Sequence, residues 1–305
     1  MRADVVLLVS LTALAPPGRV DAADAPPVAP TRFASTGFVS TRFVSTRPGE
    51  IVVPVTVGAK GPFRFLLDTG STHTAVTDAL ATAVDAVPVA RTAMRTAAGT
   101  VGCLVVALPV VAVDAASAGG LTATVLPPAA AAALGRDRGR GVDGVLGQDF
   151  LARFAFTIDY RRMQIVWHDP DYVAPGPRLT LVPAQDRWLV ELPQPAKMPG
   201  TPAPLRRFVP DSGADTLVLF GESRGAGLIT AWRPGTSVLG SLAGDCTVRT
   251  ATVDGLRVGA TTLDGQLAAV VSSRAPGDPD GLLPLHLFAS LFFSARRRAL
   301  VIEPQ

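Results

Sequence analysis

From residue 50 onward, the chain alternates short apolar runs with turns that contain glycine or proline. Runs of this length between turn residues are typical of β-strands. The pattern predicts a strand over 51–57 and a second hairpin arm over 62–67, with the turn at 58–61. A short helix capped by Thr77 follows, then a long hairpin over 91–113 with its tip near 97–99. Residues 115–140 favour a loop with a short helix. The chain is therefore expected to be mostly β.

The second half of the chain repeats the first. One set of residue pairs is offset by 143 positions: Phe65 and Phe208, Asp68 and Asp211, Cys103 and Cys246. A later set is offset by 137 positions: Asp143 and Asp280, Phe156 and Phe293, Arg161 and Arg298. Landmarks in the same order on two constant offsets indicate two related lobes. The proline-containing stretch near 169–177 is the expected boundary, so we assign one lobe to 49–170 and the other to 176–305.

The N-terminus has the pattern of an export signal. Val5 to Ala15 is an apolar core of eleven residues, too short to span a bilayer comfortably, and small or apolar residues follow at 20–22. We expect residues 1–22 to be a signal peptide and the mature protein to be periplasmic or secreted, without stable membrane insertion. A frayed apolar tail is the alternative. Residues 23–48 contain a five-residue repeat and are expected to be a low-complexity linker or a pro-segment.

Composition narrows the function classes. The chain is 48% hydrophobic and 17% charged, enough to bury a substantial core in each lobe. Net charge is only +3 and no long basic block is present, so nucleic acid is not an expected partner. The three histidines lack metal-ligand spacing, and neither a metal nor a cofactor is expected. The protein is expected to be a monomer.

Two matched tripeptides carry the candidate chemistry. Asp68-Thr69-Gly70 and Asp211-Ser212-Gly213 each follow an apolar run, so each places a carboxylate at a strand end. Lobes related by a pseudo-two-fold axis would bring the two aspartates face to face. Two such close carboxylates share one proton. The ionised member can then activate a water while the protonated member donates to a substrate carbonyl.

With these motifs and the segment Val145-Leu146-Gly147, the chain resembles aspartic proteases of the pepsin and retropepsin superfamily, and bacterial retropepsin-like proteins most closely. The resemblance implies an all-β fold of two pseudo-symmetric β-barrel lobes with a cleft between them. It implies an endopeptidase acting on peptide or protein substrates. The residues it implies are the catalytic Asp68 and Asp211, the supporting Thr69, Gly70, Ser71, Ser212, Gly213 and Ala214, and the substrate-binding Gly99 and Asp215.

Two departures from the family pattern leave alternatives open. Where the first lobe has Gly147, the second has Pro284, which removes an N–H and adds bulk. Neither tyrosine lies in the first flap, unlike in pepsins. A catalytically inactive peptide-binding protein with the same fold therefore stays an alternative. An unrelated β-sandwich does not explain the internal repeat.

Two finer expectations concern single side chains. Cys103 and Cys246 are at equivalent positions; a disulfide across the pseudo-axis and two separate thiols are both open, and the second is favoured. Ser71 follows the first motif, whereas Ala214 follows the second. If the Ser71 hydroxyl donates to Asp68, the negative charge is expected on Asp68 and the proton on Asp211.

Overall fold

The structure is a computed structural model. It describes residues 4–8, 32–33, 39–45, 48–96, 99–135, 141–184, 187–194, 204–221, 227–241, 245–271 and 279–305. Strands dominate these residues, and the helices are short. The all-β prediction is therefore confirmed.

Fourteen of the described strands belong to the first 168 residues of the chain. They are β1 Asp4–Leu8, β2 Arg32–Phe33, β3 Val39–Arg42, β4 Val52–Val57, β5 Lys60–Leu67, β6 Ala75–Val76, β7 Val87–Thr96, β8 Gly99–Ala107, β9 Val111–Val113, β10 Ala116–Ala118, β11 Thr122–Val125, β12 Gly144–Leu146, β13 Ala155–Asp159 and β14 Gln164–His168. The helices are α1 Asp78–Ala83, α2 Pro128–Gly135 and α3 Gln148–Leu151.

The remaining strands follow in the second half of the chain. They are β15 Arg178–Ala184, β16 Arg187–Pro193, β17 Leu205–Asp211, β18 Leu217–Phe220, β19 Ile229–Trp232, β20 Ser237–Ser241, β21 Cys246–Val253, β22 Leu256–Val258, β23 Thr261–Leu263, β24 Gln266–Val271, β25 Gly281–Pro284, β26 Ser290–Ser294 and β27 Ala299–Glu303. A 3-10 turn, Leu285–Leu287, follows β25.

Two large sheets contain most of these strands. A ten-stranded sheet of the N-terminal half has the order β2-β10-β9-β4-β5-β12-β6-β11-β8-β7. A fifteen-stranded sheet joins the strands of the C-terminal half to β13, β14 and β3 along the path β1-β20-β21-β24-β18-β25-β17-β16-β15-β27-β26-β13-β14-β3, with β19 beside β21. One apolar cluster runs through both halves and includes Phe150, Phe156, Trp167 and Phe293. The two halves therefore share a core.

The internal repeat of the sequence is a symmetry of the structure. Strand β12 runs parallel to β5, and β25 runs parallel to β17, with equivalent residues in register. Strands β13 and β26 pair antiparallel with Phe156 opposite Phe293, and the two rings stack at 5.4 Å between centroids. These two phenylalanines are each other's equivalents at the offset of 137. The local pseudo-two-fold axis consequently passes between them.

Several local predictions are confirmed. The hairpin of β4 and β5, the helix α1 and the hairpin of β13 and β14 lie where the pattern predicts them. The Thr77 hydroxyl accepts the Leu80 N–H at 3.2 Å and so caps α1. The flap hairpin pairs β7 with β8 and ends earlier than predicted, because β9 leaves it to pair with β4. Its tip, residues 97–98, lies outside the described residues.

Two segments contain more strand than predicted. Residues 115–140 were expected to form a loop and a helix, but β10 and β11 precede α2. Val39–Arg42, inside the expected linker, pairs with β14 as β3. The Trp167 Nε1–H donates to the Thr41 hydroxyl at 3.0 Å, and Phe43 is buried. The end of the five-residue repeat is thus part of the fold. No helix among the described residues is long and apolar enough to cross a membrane.

Candidate active site

Asp68 and Asp211 occupy equivalent positions beside the pseudo-axis. Asp68 directly follows β5, and Asp211 ends β17. Each neighbouring parallel strand is preceded by an aspartate that ties it in place. The Asp143 carboxylate accepts the Arg64 N–H at 2.7 Å, and the Asp280 carboxylate accepts the Arg207 N–H at 2.7 Å. Equivalent hydrogen bonds from a backbone N–H to an aspartate carboxylate therefore join β5 to β12 and β17 to β25.

Reciprocal hydrogen bonds lock the two loops together. The Thr69 hydroxyl donates to the Pro210 carbonyl at 2.8 Å and accepts the Ser212 N–H at 3.0 Å. The Ser212 hydroxyl donates to the Leu67 carbonyl at 2.9 Å and accepts the Thr69 N–H at 3.0 Å. We call these four bonds the loop lock. They join the loop that follows Asp68 to the loop that follows Asp211.

The two motif glycines let each loop approach the carboxyl group of the other. A Cβ on Gly70 would lie 2.4 Å from Cγ of Asp211, and a Cβ on Gly213 would lie 2.8 Å from Cγ of Asp68. Both distances are too short for any side chain, so only glycine fits at either position. Each carboxyl group is therefore packed against the backbone of the opposite loop.

The two carboxyl groups receive matching backbone donors. Oδ1 of Asp68 accepts the N–H groups of Gly70 and Ser71 at 2.8 and 3.1 Å. Oδ1 of Asp211 accepts the N–H groups of Gly213 and Ala214 at 2.7 and 3.1 Å. Each Oδ2 is buried and receives no N–H or O–H among the described residues. Each of the two carboxyl groups also influences the pKa of the other.

Burial makes this pair hold a proton at mildly acidic pH. Both aspartates have an exposed fraction of 0%. Burial first, and the charge of Asp211 second, raise the pKa of the Asp68 carboxyl well above its ordinary value. Burial raises the pKa of Asp211 to about 6, while the bonded N–H groups, Asp68 and the charge of Arg187 oppose the rise. One proton shared between two carboxyl groups is the resulting state.

The expected role of the Ser71 hydroxyl is wrong. This hydroxyl donates to the His73 carbonyl at 3.0 Å, because that acceptor lies two residues along the same loop. The hydrogen bond on which the expected placement of the charge depends is therefore absent, and the backbone donors to the two carboxyl groups are matched. The Arg187 charge acts on Asp211, whose pKa it lowers.

Several residues near the pair were missed at the sequence level. The Gln148 side chain donates to the Thr69 carbonyl at 2.7 Å. The Asp149 carboxylate accepts the Thr74 N–H at 3.0 Å and the Thr74 hydroxyl at 2.7 Å. Gln148 and Asp149 directly follow Val145-Leu146-Gly147, and this position next to a recognised motif is the sequence feature that could have indicated them. Burial first, and the charge of Asp211 second, raise the pKa of the hydroxyl group of Tyr160, a half-buried residue that no motif indicated.

Pro284 is accommodated without loss of the strand. It ends β25 in register with Asp211 and has an extended backbone, with φ of −64° and ψ of 129°. Gly147 has no such room, since a Cβ there would lie 2.6 Å from the His73 backbone. The loop after Asp68 therefore packs closely against the residue that follows β12. The loop after Asp211 leaves more room at the equivalent position, the end of β25.

The other predicted residues lie as follows. Gly99 begins β8 next to the flap tip, and Asp215 is partly buried four positions after Asp211. Cys103 is buried and Cys246 is exposed; the two cysteines form no disulfide, so the favoured expectation of two separate thiols is confirmed. Among the described residues, no group of three or more histidine, cysteine or acidic side chains could hold a metal ion.

Comparison with known proteins gives a match to a family model. Residues 53–150 match the model of a family described as aspartyl protease. The matched stretch contains Asp68-Thr69-Gly70 and ends at Phe150 in α3. No curated protein matches the chain. The family match supports a hydrolase of the aspartyl protease type.

Proposed function

We propose that this protein is an aspartic endopeptidase in which Asp68 and Asp211 form the catalytic dyad. The observation that carries the proposal is the pair of buried carboxyl groups at the ends of two equivalent strands, each packed against the motif glycine of the opposite loop. A buried carboxyl pair with raised pKa values is the arrangement that acid–base hydrolysis needs near the operating pH. The aspartyl protease match over residues 53–150 supports the same chemistry.

We assign the general base to Asp211, because the Arg187 charge lowers its pKa, and the general acid to Asp68. Ionised Asp211 takes a proton from a water bound between the carboxyl groups, and the water oxygen attacks the carbonyl carbon of the substrate. Asp68 gives its proton to the carbonyl oxygen, so a neutral diol forms. In the second step the diol returns a proton to Asp68, Asp211 gives its proton to the amide nitrogen, and the C–N bond breaks. Both aspartates end in their starting states.

The organisation proposed with this function is bilobal. The lobes comprise residues 49–170 and 176–305, and the protein is closest to bacterial retropepsin-like proteases. Residues 1–22 serve as a signal peptide, and the mature protein is an exported, periplasmic or secreted monomer. Residues 23–48 are a linker or a pro-segment between this signal and the first lobe, with Val39–Arg42 pairing as β3. The substrate peptide contacts the flap at Gly99 and the second loop at Asp215.

The test is a cleavage assay on the purified mature protein with a mixed peptide library between pH 3 and 7. The proposal expects peptide-bond cleavage that pepstatin abolishes and a metal chelator leaves unchanged. Pepstatin binding without cleavage would instead favour the inactive peptide-binding protein. Cleavage that is insensitive to pepstatin, or neither cleavage nor pepstatin binding, would contradict both readings.

A further inference from the structure

The two catalytic loops differ in what holds the peptide group that binds each aspartate. In the first loop, the peptide group between Thr69 and Gly70 has its carbonyl on Thr69 and its N–H on Gly70. That N–H donates to Oδ1 of Asp68 at 2.8 Å. The carbonyl of the same group accepts a side-chain N–H of Gln148 at 2.7 Å. A single peptide group therefore connects the Gln148 amide to the Asp68 carboxyl group.

The equivalent residue of the C-terminal half cannot make this second bond. The Gly213 N–H donates to Oδ1 of Asp211 at 2.7 Å, as the Gly70 N–H does to Asp68. At the offset of 137, Leu285 stands in place of Gln148, and its buried side chain contains no N–H. Of these two equivalent positions, only the one beside the loop of Asp68 supplies a side-chain donor.

The backbone around Gln148 holds its side chain against this loop. The Gln148 backbone N–H donates to the Ser71 carbonyl at 2.9 Å. The carboxylate of the next residue, Asp149, accepts the N–H and the hydroxyl of Thr74 at 3.0 and 2.7 Å. The start of α3 is therefore fixed to the chain that follows Asp68, so the Gln148 amide reaches its acceptor from a fixed position.

The burial of Gln148 indicates that its amide does more than fill space. Gln148 has an exposed fraction of 4%, and its Oε1 has no hydrogen-bond partner among the described residues. A buried polar atom without a partner costs free energy. Leu285 shows that a side chain of similar size without polar atoms fits the equivalent position. The N–H that binds Thr69 is therefore the feature that distinguishes a glutamine from an apolar side chain here.

We propose that Gln148 is a positioning residue for Asp68, acting through the peptide group of Thr69 and Gly70. This inference rests on the proposed function for its consequence in catalysis. Hydrogen bonds in series polarise one another, so a peptide group whose carbonyl accepts a bond is a stronger donor at its N–H. Gln148 thereby strengthens the bond from Gly70 to Asp68 and keeps it aligned. A stronger bond to the charged form favours the ionised state of Asp68.

The first test is the pH–rate profile of Gln148→Met, which removes the amide and keeps the length of the side chain. If Asp68 is the general acid, its loss of a proton sets the alkaline limb of the profile. A weaker bond from Gly70 raises the pKa of Asp68, so the alkaline limb should move upward by about half a pH unit. We expect kcat to fall about threefold with little change in KM, because Gln148 holds the loop of Asp68 and not the substrate.

A matched control separates this effect from the loss of a buried amide in general. Gln194 is also buried, and its side chain donates to the Arg257 carbonyl at 3.0 Å and accepts the Arg257 N–H at 2.9 Å. Gln194→Met should therefore lower the free energy of unfolding but leave both limbs of the pH–rate profile in place.

Proton NMR of the Gly70 amide gives a readout that does not depend on activity. Cell-free synthesis with ¹³C-carbonyl threonine and ¹⁵N-glycine selects the two Thr–Gly pairs of the chain, 36–37 and 69–70, and Thr36→Ser identifies the first of them. Labelled serine in place of threonine selects the single Ser–Gly pair, 212–213. In Gln148→Met the Gly70 amide proton should move upfield because its hydrogen bond is weaker. The Gly213 amide proton should stay in place.

The outcomes distinguish this inference from the proposed function. If the wild-type protein cleaves no peptide, the proposed function fails, yet the Gly70 signal still decides the role of Gln148. An acidic limb that moves in place of the alkaline limb would support the role of Gln148 but contradict the assignment of the general acid to Asp68. A Gly70 signal that stays in place, or equal shifts of Gly70 and Gly213, would overturn the inference. If Gln148→Met does not fold, Gln148→Asn replaces it, since its amide is one methylene group too short to keep the bond.

Discussion

The loop lock is expected to contribute a large part of the stability of the protein. Thr69→Val keeps the shape of the side chain but leaves the Pro210 carbonyl and the Ser212 N–H without their partner. Ser212→Ala does the same to the Leu67 carbonyl and the Thr69 N–H. Each buried unsatisfied group costs about 1–3 kcal/mol, so each variant should lose about 2–6 kcal/mol. A typical domain has only about 5–15 kcal/mol of stability.

Urea unfolding measures this loss, with fluorescence of the buried Trp167 as the probe. Thr69→Ser keeps the hydroxyl and is the matched control, with a much smaller loss. The double variant Thr69→Val/Ser212→Ala should lose less than the sum of the single variants, because either change already lets the loops separate. Losses below about 1 kcal/mol for both single variants would refute the reasoning that these bonds hold the loops together.

Three further predictions concern other residues. Ser71→Ala should leave the acidic limb of the pH–rate profile in place, since the Ser71 hydroxyl donates to the His73 carbonyl. Arg187→Gln should move this limb to higher pH, because the Arg187 charge lowers the pKa of Asp211. A shift in Ser71→Ala without one in Arg187→Gln would contradict both statements. Burial lowers the pKa of His168 to about 4, below the value of about 6.5 for an unfolded chain. Between these two pH values the folded state binds fewer protons than the unfolded state. The free energy of unfolding should therefore fall as the pH drops from about 6.5 to about 4. Urea midpoints at pH 7 and pH 5 should therefore differ less in His168→Phe than in the wild type. Titration with a thiol reagent should find two free thiols in the unfolded, unreduced protein, with Cys246 reacting before Cys103 in the folded one; a missing thiol would show a disulfide.

The sequence predicted the elements around the candidate site well because local signals decide them. Apolar runs that stop at glycine or proline define β4, β5 and the hairpin of β13 and β14. The matched Asp-Thr-Gly and Asp-Ser-Gly motifs, with their constant offset, predicted that Asp68 and Asp211 would meet. Equivalent positions in two lobes that pack about a pseudo-two-fold axis lie close together when they are near that axis, so the equivalence of Asp68 and Asp211 was enough to predict their proximity.

Features decided by tertiary contacts were missed. Strand β3 comes from a five-residue repeat without strand periodicity and forms because β14 offers it an edge. The direction of the Ser71 hydroxyl depends on which acceptor lies nearer, and His73 was that acceptor.

The most direct test of the central claim compares wild-type protein with Asp68→Asn and Asp211→Asn on one peptide identified as a substrate. The account predicts that each variant folds, as judged by urea unfolding, and that each loses cleavage by at least about a thousandfold, since neither half of the acid–base pair works alone. Asp171→Asn, which removes an exposed carboxylate paired with Arg296, is the control and keeps the wild-type rate. Cleavage at the wild-type rate by either folded dyad variant would contradict the account.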